Sequence, residues 1–506
     1  MILALLLTPT LAGLLAFILR PNFPRRMLTL LAAIVHFGLI CKAWTMPKPI
    51  RFGWTPLDDW MAIDELSLLF LTIASLLFLA AAIYVVGYLA RESRPDRHDE
   101  FDELPFTNFP EATFAGCLLL FLSTMTLVAV SRHMGLMWVA VEATTLASSP
   151  LIYFHRNSRS LEATWKYLVI CSVGIALALL GNFFLAVAAH TSSGLTIHLT
   201  IEALLKNAAS LNTLWLKAAF LLLLVGYGTK MGLAPLHTWL PDAHSEAPAV
   251  VSALLSGALL NCAFLIILRG HSIMVAAGLA DFSRELLILF GLTSMVVAAV
   301  FIIGQTDYKR MLAYSSIEHM GILSLGIGVG GLATFGSLLH TVNHSLAKAM
   351  LFFAAGNILA WYRTKSTADT RGMKKLLPMT ALLWMAGFLA ITGSPPFGLF
   401  LSELTILKGI LDGHHTLVAV VYLSALAVVF VGMASIMLKM IYRPQEETVL
   451  TGKKQTRSSP TKPYREPIWS IFSPAVLGVL VLGLGFYVPP ELAELLHRAA
   501  QIVGGN

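Results

Sequence analysis

From Ile2 to Val488 the chain is built of apolar stretches of about twenty residues parted by short polar loops, each long enough as a helix to cross a bilayer core about 30 Å thick. Lipid offers an open backbone no hydrogen-bond partner, so such stretches must be helical. Only 12% of the residues are charged and 57% are hydrophobic, whereas soluble domains carry about 25% charged residues. The pattern predicts an all-α, polytopic membrane protein of about 14 transmembrane helices. The net charge of +7 is therefore read as topology and not as nucleic-acid binding. The opening MILALLLTPTLAGLLAFILR lacks the basic n-region of a signal peptide and reads as a first permanent helix. Cys41, Cys117, Cys171 and Cys262 are scattered through apolar stretches without a CxxC pair, so no cofactor or metal is expected on them.

Two stretches, 213–241 and 377–410, exceed one crossing and are interrupted, by GTKMGLAPLHTWLPDAHSEAP and by TGSPPFGLF. A membrane helix is broken only where the freed backbone groups face protein or water. Paired breaks in two halves of a chain mark inverted repeats around an ion site near the midplane. The expected organisation is 1–111, three helices and an acidic loop; 112–269, a first five-helix repeat; 285–441, a second; and 442–506, a polar linker and a last helix. Alternate loops, among them RPNFPRR, HRNSR and YRTKSTADTRGMKK, carry most of the lysine and arginine, which puts them in the cytoplasm and both termini on the other side. The loop 91–111, with seven carboxylates, is either a solvated loop or a docking face.

Charges within the spans cost about 2.5–3.5 kcal/mol each on insertion scales and mark functional candidates. Glu142 lies deep in LMWVAVEATTLASS, where it either carries protons or pins two helices. Lys166, near the start of its helix, either does the same or snorkels to the interface. Lys230 stands at the first break, with His237 a few residues on. His340, His344 and Lys348 recur at i, i+4 and i+8 on one helical face, like a wire. Two histidines at i, i+4 also suit zinc, but there is no HExxH glutamate and lysine is a poor third ligand. Glu318, beside His319, either joins the proton relay or lines a cytoplasmic entry, and Glu403 follows the second break. Asp242, His244 and Glu246 read as a hydrogen-bonded loop holding the broken helix, with a cation site as the alternative.

VEATTL, GTKMGLAPLHTWLPDAHSEAPAVVSALL, DYKRMLAYSSIEHMG and HTVNHSLAKAMLFF resemble the antiporter-like subunits of respiratory complex I and of multisubunit sodium/proton antiporters, over about residues 60 to 440. LEATWKYLVICSVGIAL and LPDAHSEAP look most like the F component of hydrogenase-4 type nickel–iron hydrogenases. The resemblance implies two inverted five-helix repeats and a hydrophilic axis at the membrane midplane. It matches Glu142 to the family's helix-five glutamate, Lys230 to its broken-helix lysine, Lys348 to its helix-eleven lysine and Glu403 to the charge of the second break. Two departures stand out. Ser256 and Asn261 occupy the helix where relatives often place a histidine or lysine, and the chain ends soon after the last span, without a long lateral helix.

The implied function is proton translocation through Glu142, Lys230, Lys348 and Glu403. A Glu142–Lys230 pair about 4 Å apart would attract by about 4 kcal/mol at an effective dielectric near 20. No haem, flavin, cluster or nucleotide motif is present, so the chain is not catalytic alone and holds no cofactor. Its partners would be other membrane subunits, a soluble redox arm, the lipid of a prokaryotic inner membrane, and protons, with sodium as the alternative ion. The competing function is a sodium/proton antiporter subunit, or the membrane subunit of an inorganic-carbon uptake complex, without redox partners.

Overall fold

A computed structural model describes residues 1–53, 59–92, 108–190, 197–443 and 466–504. The first third comprises α1 (Ile2–Ile18), α2 (Asn22–Trp44), α3 (Glu65–Glu92), α4 (Glu111–Val130), α5 (Met134–Ile152) and α6 (Ser158–Ala188). A short α7 (Ile201–Lys206) leads to α8 (Thr213–Met231), α9 (Trp239–Glu246), α10 (Ala249–Leu254), α11 (Leu260–Ala276) and α12 (Ala280–Ile302). The remainder is α13 (Tyr308–Val329), α14 (Leu332–Tyr362), a single turn α15 (Met373–Leu376), α16 (Pro378–Ile391), α17 (Gly398–Asp412), α18 (Thr416–Tyr442), α19 (Ile468–Phe486) and α20 (Pro490–Val503). Eleven helical stretches among the described residues are long and apolar enough to cross a membrane, and α1 and α16 are shorter apolar helices. Most of the acidic loop, 93–107, and of the polar linker, 444–465, lies outside the described residues.

Local chemistry sets the helix ends. Asn157 accepts from the Ser160 amide while Ser160 accepts from the Asn157 amide, closing a capping box on α6. Asn212 and Asp307 cap α8 and α13 by accepting the free amides of their first turns. Both expected interruptions are present: α8 stops at Gly232 and resumes as α9, and α16 stops after Ile391 and resumes as α17. A third irregularity was not foreseen. Between α10 and α11, residues Leu255–Leu259 form one π-helical turn, a wider winding often found at functional positions. The DAHSE cluster, expected as a loop, is the end of the helix α9, because Pro241 falls in its first turn and costs it no hydrogen bond.

Burial separates a core from a rim. The α10–α11 stretch is enclosed on all sides, α13 and α14 are buried along most of their length, and α6, α12 and α18 expose apolar flanks such as Val169, Val173, Val300 and Val431. That buried centre lies between the two breaks. At one end of the core, Asp64, just before α3, accepts two hydrogen bonds of 2.7 Å from Arg269 and another from Arg132. Burial works against ionising Asp64, but the two guanidinium groups prevail and hold its carboxyl well below the usual carboxylate range. Removing one member of such a buried set costs about 3–5 kcal/mol.

Candidate functional site

The first break is built where two helices touch backbone to backbone. A Cβ on Gly226 of α8 would lie 2.5 Å from the Gly174 carbonyl oxygen of α6, so only glycine permits the approach. The contact brings Tyr167, two turns back along α6, beside the end of α8. Lys230 is fully buried there. Its Nζ donates 2.7 Å hydrogen bonds to Thr145 Oγ1 of α5 and to Tyr167 Oη, and lies 4.4 Å from the Tyr167 ring centroid. Tyr167 Oη in turn bonds Ser148 Oγ at 2.7 Å. The Thr229 carbonyl accepts from the Gly232 amide at 3.1 Å and also from the Trp239 indole at 2.8 Å.

The direct Glu142–Lys230 ion pair expected from the sequence does not form. Glu142 is half-buried on the flank of α5, and Thr145 stands between it and Lys230, its Oγ1 3.5 Å from Glu142 Oε2. One turn separates Glu142 from Thr145 along α5, so both project to the same side. Ser172 of α6 donates to the other carboxylate oxygen at 3.3 Å.

His237, in the bend between α8 and α9, is buried and its Nδ1 has no partner among the described residues. Lys166 sits apart from Lys230, partly exposed, bonded to Glu162 at 2.6 Å and Asp242 at 2.9 Å. Asp242 also takes Arg310 of α13 at 2.9 Å, and Glu246 takes Lys365 at 2.5 Å. Lys309 donates to the Ser245 and Ala247 carbonyls, and Ser245 Oγ donates to Asp307 at 2.6 Å. The acidic cluster thus ties α9 to α6, α13 and the loop after α14. His244 turns inward instead: Nδ1 bonds the Leu240 carbonyl, Nε2 has no partner among the described residues, and the ring lies in the field of Lys348.

At the second break, His340, His344 and Lys348 are all fully buried on one face of α14. Lys348 donates to the Leu312 carbonyl at 2.6 Å and to Ser315 Oγ, both on α13. Glu318, a turn further along α13, is within the field of both Lys348 and Glu403. Glu318 and His319 are both buried. His319 Nδ1 meets His340 Nε2 at 2.9 Å, and His340 Nδ1 meets Ser402 Oγ at 2.9 Å. Glu403 lies against the break because Gly393, at φ 61°, has no Cβ; one added there would fall 1.9 Å from Glu403 Oε2. Asn343 of α14 fastens the start of α17 by donating to the Gly398 carbonyl at 2.9 Å.

Between the two breaks run hydroxyls and an amide. Ser256, in the π-helical turn, bonds Ser316 at 2.8 Å, and Asn261 donates to Ser345 Oγ at 2.8 Å. Thr145, Tyr167 and Ser316 were missed by sequence reasoning, since uncharged side chains inside a span carry no insertion cost that would single them out. His319, His340 and Glu403 each offer a ligand atom within 4.8 Å of the others, a grouping drawn from three helices.

The chain is similar to known proteins along most of its length. The profile of the NADH:quinone oxidoreductase/Mrp antiporter transmembrane family matches residues 131–430. A hydrogenase-4 component F homolog of Methylacidiphilum infernorum is 36% identical over 458 residues, covering 90% of this chain and 91% of the relative. Subunit N of the F(420)H(2) dehydrogenase of Methanosarcina mazei is 30% identical over 482 residues, 93% of this chain and 89% of its own. Among solved structures, a chain of the archaeal membrane-bound sulfane sulfur reductase superimposes with a TM-score of 0.82 at 20% identity, covering 100% of this chain and 98% of that one. A chain of respiratory complex I from Thermus thermophilus gives 0.73 at 26% identity, covering 96% and 97%.

Proposed function

The chain belongs to the NADH:quinone oxidoreductase/Mrp antiporter transmembrane family, and on that premise we propose that it translocates protons as a membrane subunit of a hydrogenase-4-like redox complex. The carrying observation is a succession of ionisable side chains between the two breaks: Thr145 bridges half-buried Glu142 to buried Lys230, the Trp239 ring lies 6.0 Å from Lys230 Nζ and 6.1 Å from the His244 ring, and Lys348 acts on both His244 and Glu318 through its field. Glu142 takes a proton on the flank of the protein and passes it through the Thr145 hydroxyl to Lys230. His244 and the Ser256–Ser316 pair carry it across the buried centre to Lys348. Glu318 and the histidines of α14 hand it to Glu403 for release. Glu142 and Lys230 are farther apart than a contact pair, and at roughly 6 Å with an effective dielectric near 20 they attract by about 3 kcal/mol. The state of one carboxylate is then felt at the lysine without contact.

The driving energy comes from partner subunits, namely other membrane chains and a soluble redox arm that meets the cytoplasmic loops. The basic loops orient the chain in a prokaryotic inner membrane with both termini away from the cytoplasm. Lys230→Met in the assembled complex, reconstituted in vesicles, tests the relay. Redox-driven proton uptake should fall to background while the complex still assembles; full uptake would overturn the relay.

A further inference from the structure

The second break brings together a ligand set that sequence spacing could not show. By spacing, His340 pairs with His344 one turn away, yet the partners the fold supplies come from elsewhere: His319 from α13 and Glu403 from α17. His319 Nδ1 and His340 Nε2 are 2.9 Å apart, and a carboxylate oxygen of Glu403 completes a group whose ligand atoms lie within 4.8 Å of one another. Tetrahedral zinc with bonds of about 2.0–2.1 Å sets its ligand atoms about 3.3 Å apart. The two nitrogens need open by only a few tenths of an ångström, and the carboxylate closes by a small side-chain rotation.

The surroundings match what metal-bound histidines use. Ser402 Oγ donates to the Leu399 carbonyl at 2.9 Å, so it must accept from His340 Nδ1–H, and the lone pair of His340 is fixed on Nε2, facing the group. His319 Nε2 makes no hydrogen bond of good geometry, though the Ile391 carbonyl lies beside the ring and can take its proton once Nδ1 is a ligand. Among the described residues Glu403 Oε1, which is buried, has no protein donor and both nitrogens of His344 lack partners. The His344 ring centroid is 5.0 Å from that of His319. Glu318 adds a second carboxylate, offsetting the nearby Lys348. Two imidazoles and one carboxylate suit zinc, cobalt or nickel rather than calcium or magnesium, which need shells of oxygen.

We propose that His319, His340 and Glu403 form a binding site for a divalent cation of the zinc class, and that the cation, once bound, stops proton passage at the second break. The binding claim stands by itself; the block rests on the relay described above. The test uses the purified full chain in nanodiscs, prepared without a polyhistidine tag and titrated with cobalt(II). One cobalt per chain should bind with the visible d–d bands of a low-coordinate site and be displaced by zinc. His340→Gln and Glu403→Gln should each abolish the bands. Ser402→Ala keeps all three ligands and should weaken binding roughly tenfold, as loss of an outer hydrogen bond to a ligand does. Absence of stoichiometric binding, or bands of unchanged strength and affinity in all three variants, overturns the site; if the glutamine variants do not fold, Ser402→Ala decides alone. In vesicles of the complex, zinc should halt proton uptake at lower concentration in the wild type than in Ser402→Ala. Binding with uninterrupted uptake would leave the site standing and remove Glu403 from the proton path.

Discussion

At the first break a buried ammonium is held by two hydroxyls, Thr145 and Tyr167, and by the face of the Tyr167 ring. At the second, a buried carboxylate lies among three imidazoles, and four of their polar atoms have no protein partner among the described residues: His319 Nε2, both nitrogens of His344, and Glu403 Oε1. Both breaks follow the same plan, an ended helix, a glycine of positive φ and a restarted helix. The plan therefore does not dictate the chemistry. A satisfied cation stays where its partners hold it and responds through its field. Unpaired groups at the second break are open to exchange with protons, water or ions, since leaving them unpaired costs about 1–3 kcal/mol each.

If the first break depends on its two hydroxyls, the double variant Thr145→Val, Tyr167→Phe should be the most damaging change. It strands a buried ammonium, at a cost of about 3–5 kcal/mol unless the lysine gives up its charge. Thermal unfolding in detergent should shift strongly, and proton uptake by the complex should be lost; wild-type behaviour in both would erase the contrast. Gly393→Ala probes the second break. The backbone conformation alone costs about 1–3 kcal/mol, and the new methyl must also displace the Glu403 carboxylate. Gly278→Ala is the control, with φ 72° and nothing within 4 Å of a Cβ. A larger loss at Gly393, together with reduced uptake, isolates the Glu403 contact, whereas equal losses would mean that the contact is incidental. Asp242→Asn should do least, about 1 kcal/mol or less, because its partners Lys166 and Arg310 are 44% and 42% exposed. A large effect on melting would show that the ion-pair clamp, and not the hydroxyl pair, keeps the first break in shape.

The spans, both breaks and the buried charges are legible in the sequence because each follows from position along one segment. Helix length gives the height of Lys230 or Glu403 in the bilayer, and insertion cost marks them out. Height says nothing about azimuth. That Thr145 stands between Glu142 and Lys230, that Lys166 turns out to Asp242, and that His319 meets His340 all depend on how neighbouring helices are rotated. Those rotations are set by long-range packing, for which the apolar faces of a membrane helix carry little signal. The charges of the DAHSE cluster and its flanking prolines are those of a turn, yet ion pairs to three other segments hold it as helix.

The backbone contact between Gly174 and Gly226 also limits how the first half can move. Two helices that already touch have no clearance in which to close further or to slip past one another's side chains. Lys230 hangs just beyond this fixed point, so its travel is set by the torsions of its own side chain and not by the swing of α8. The contact acts as a bearing: a single added carbon would be a shim, tilting the shaft and moving the ammonium out of reach of both hydroxyls at once.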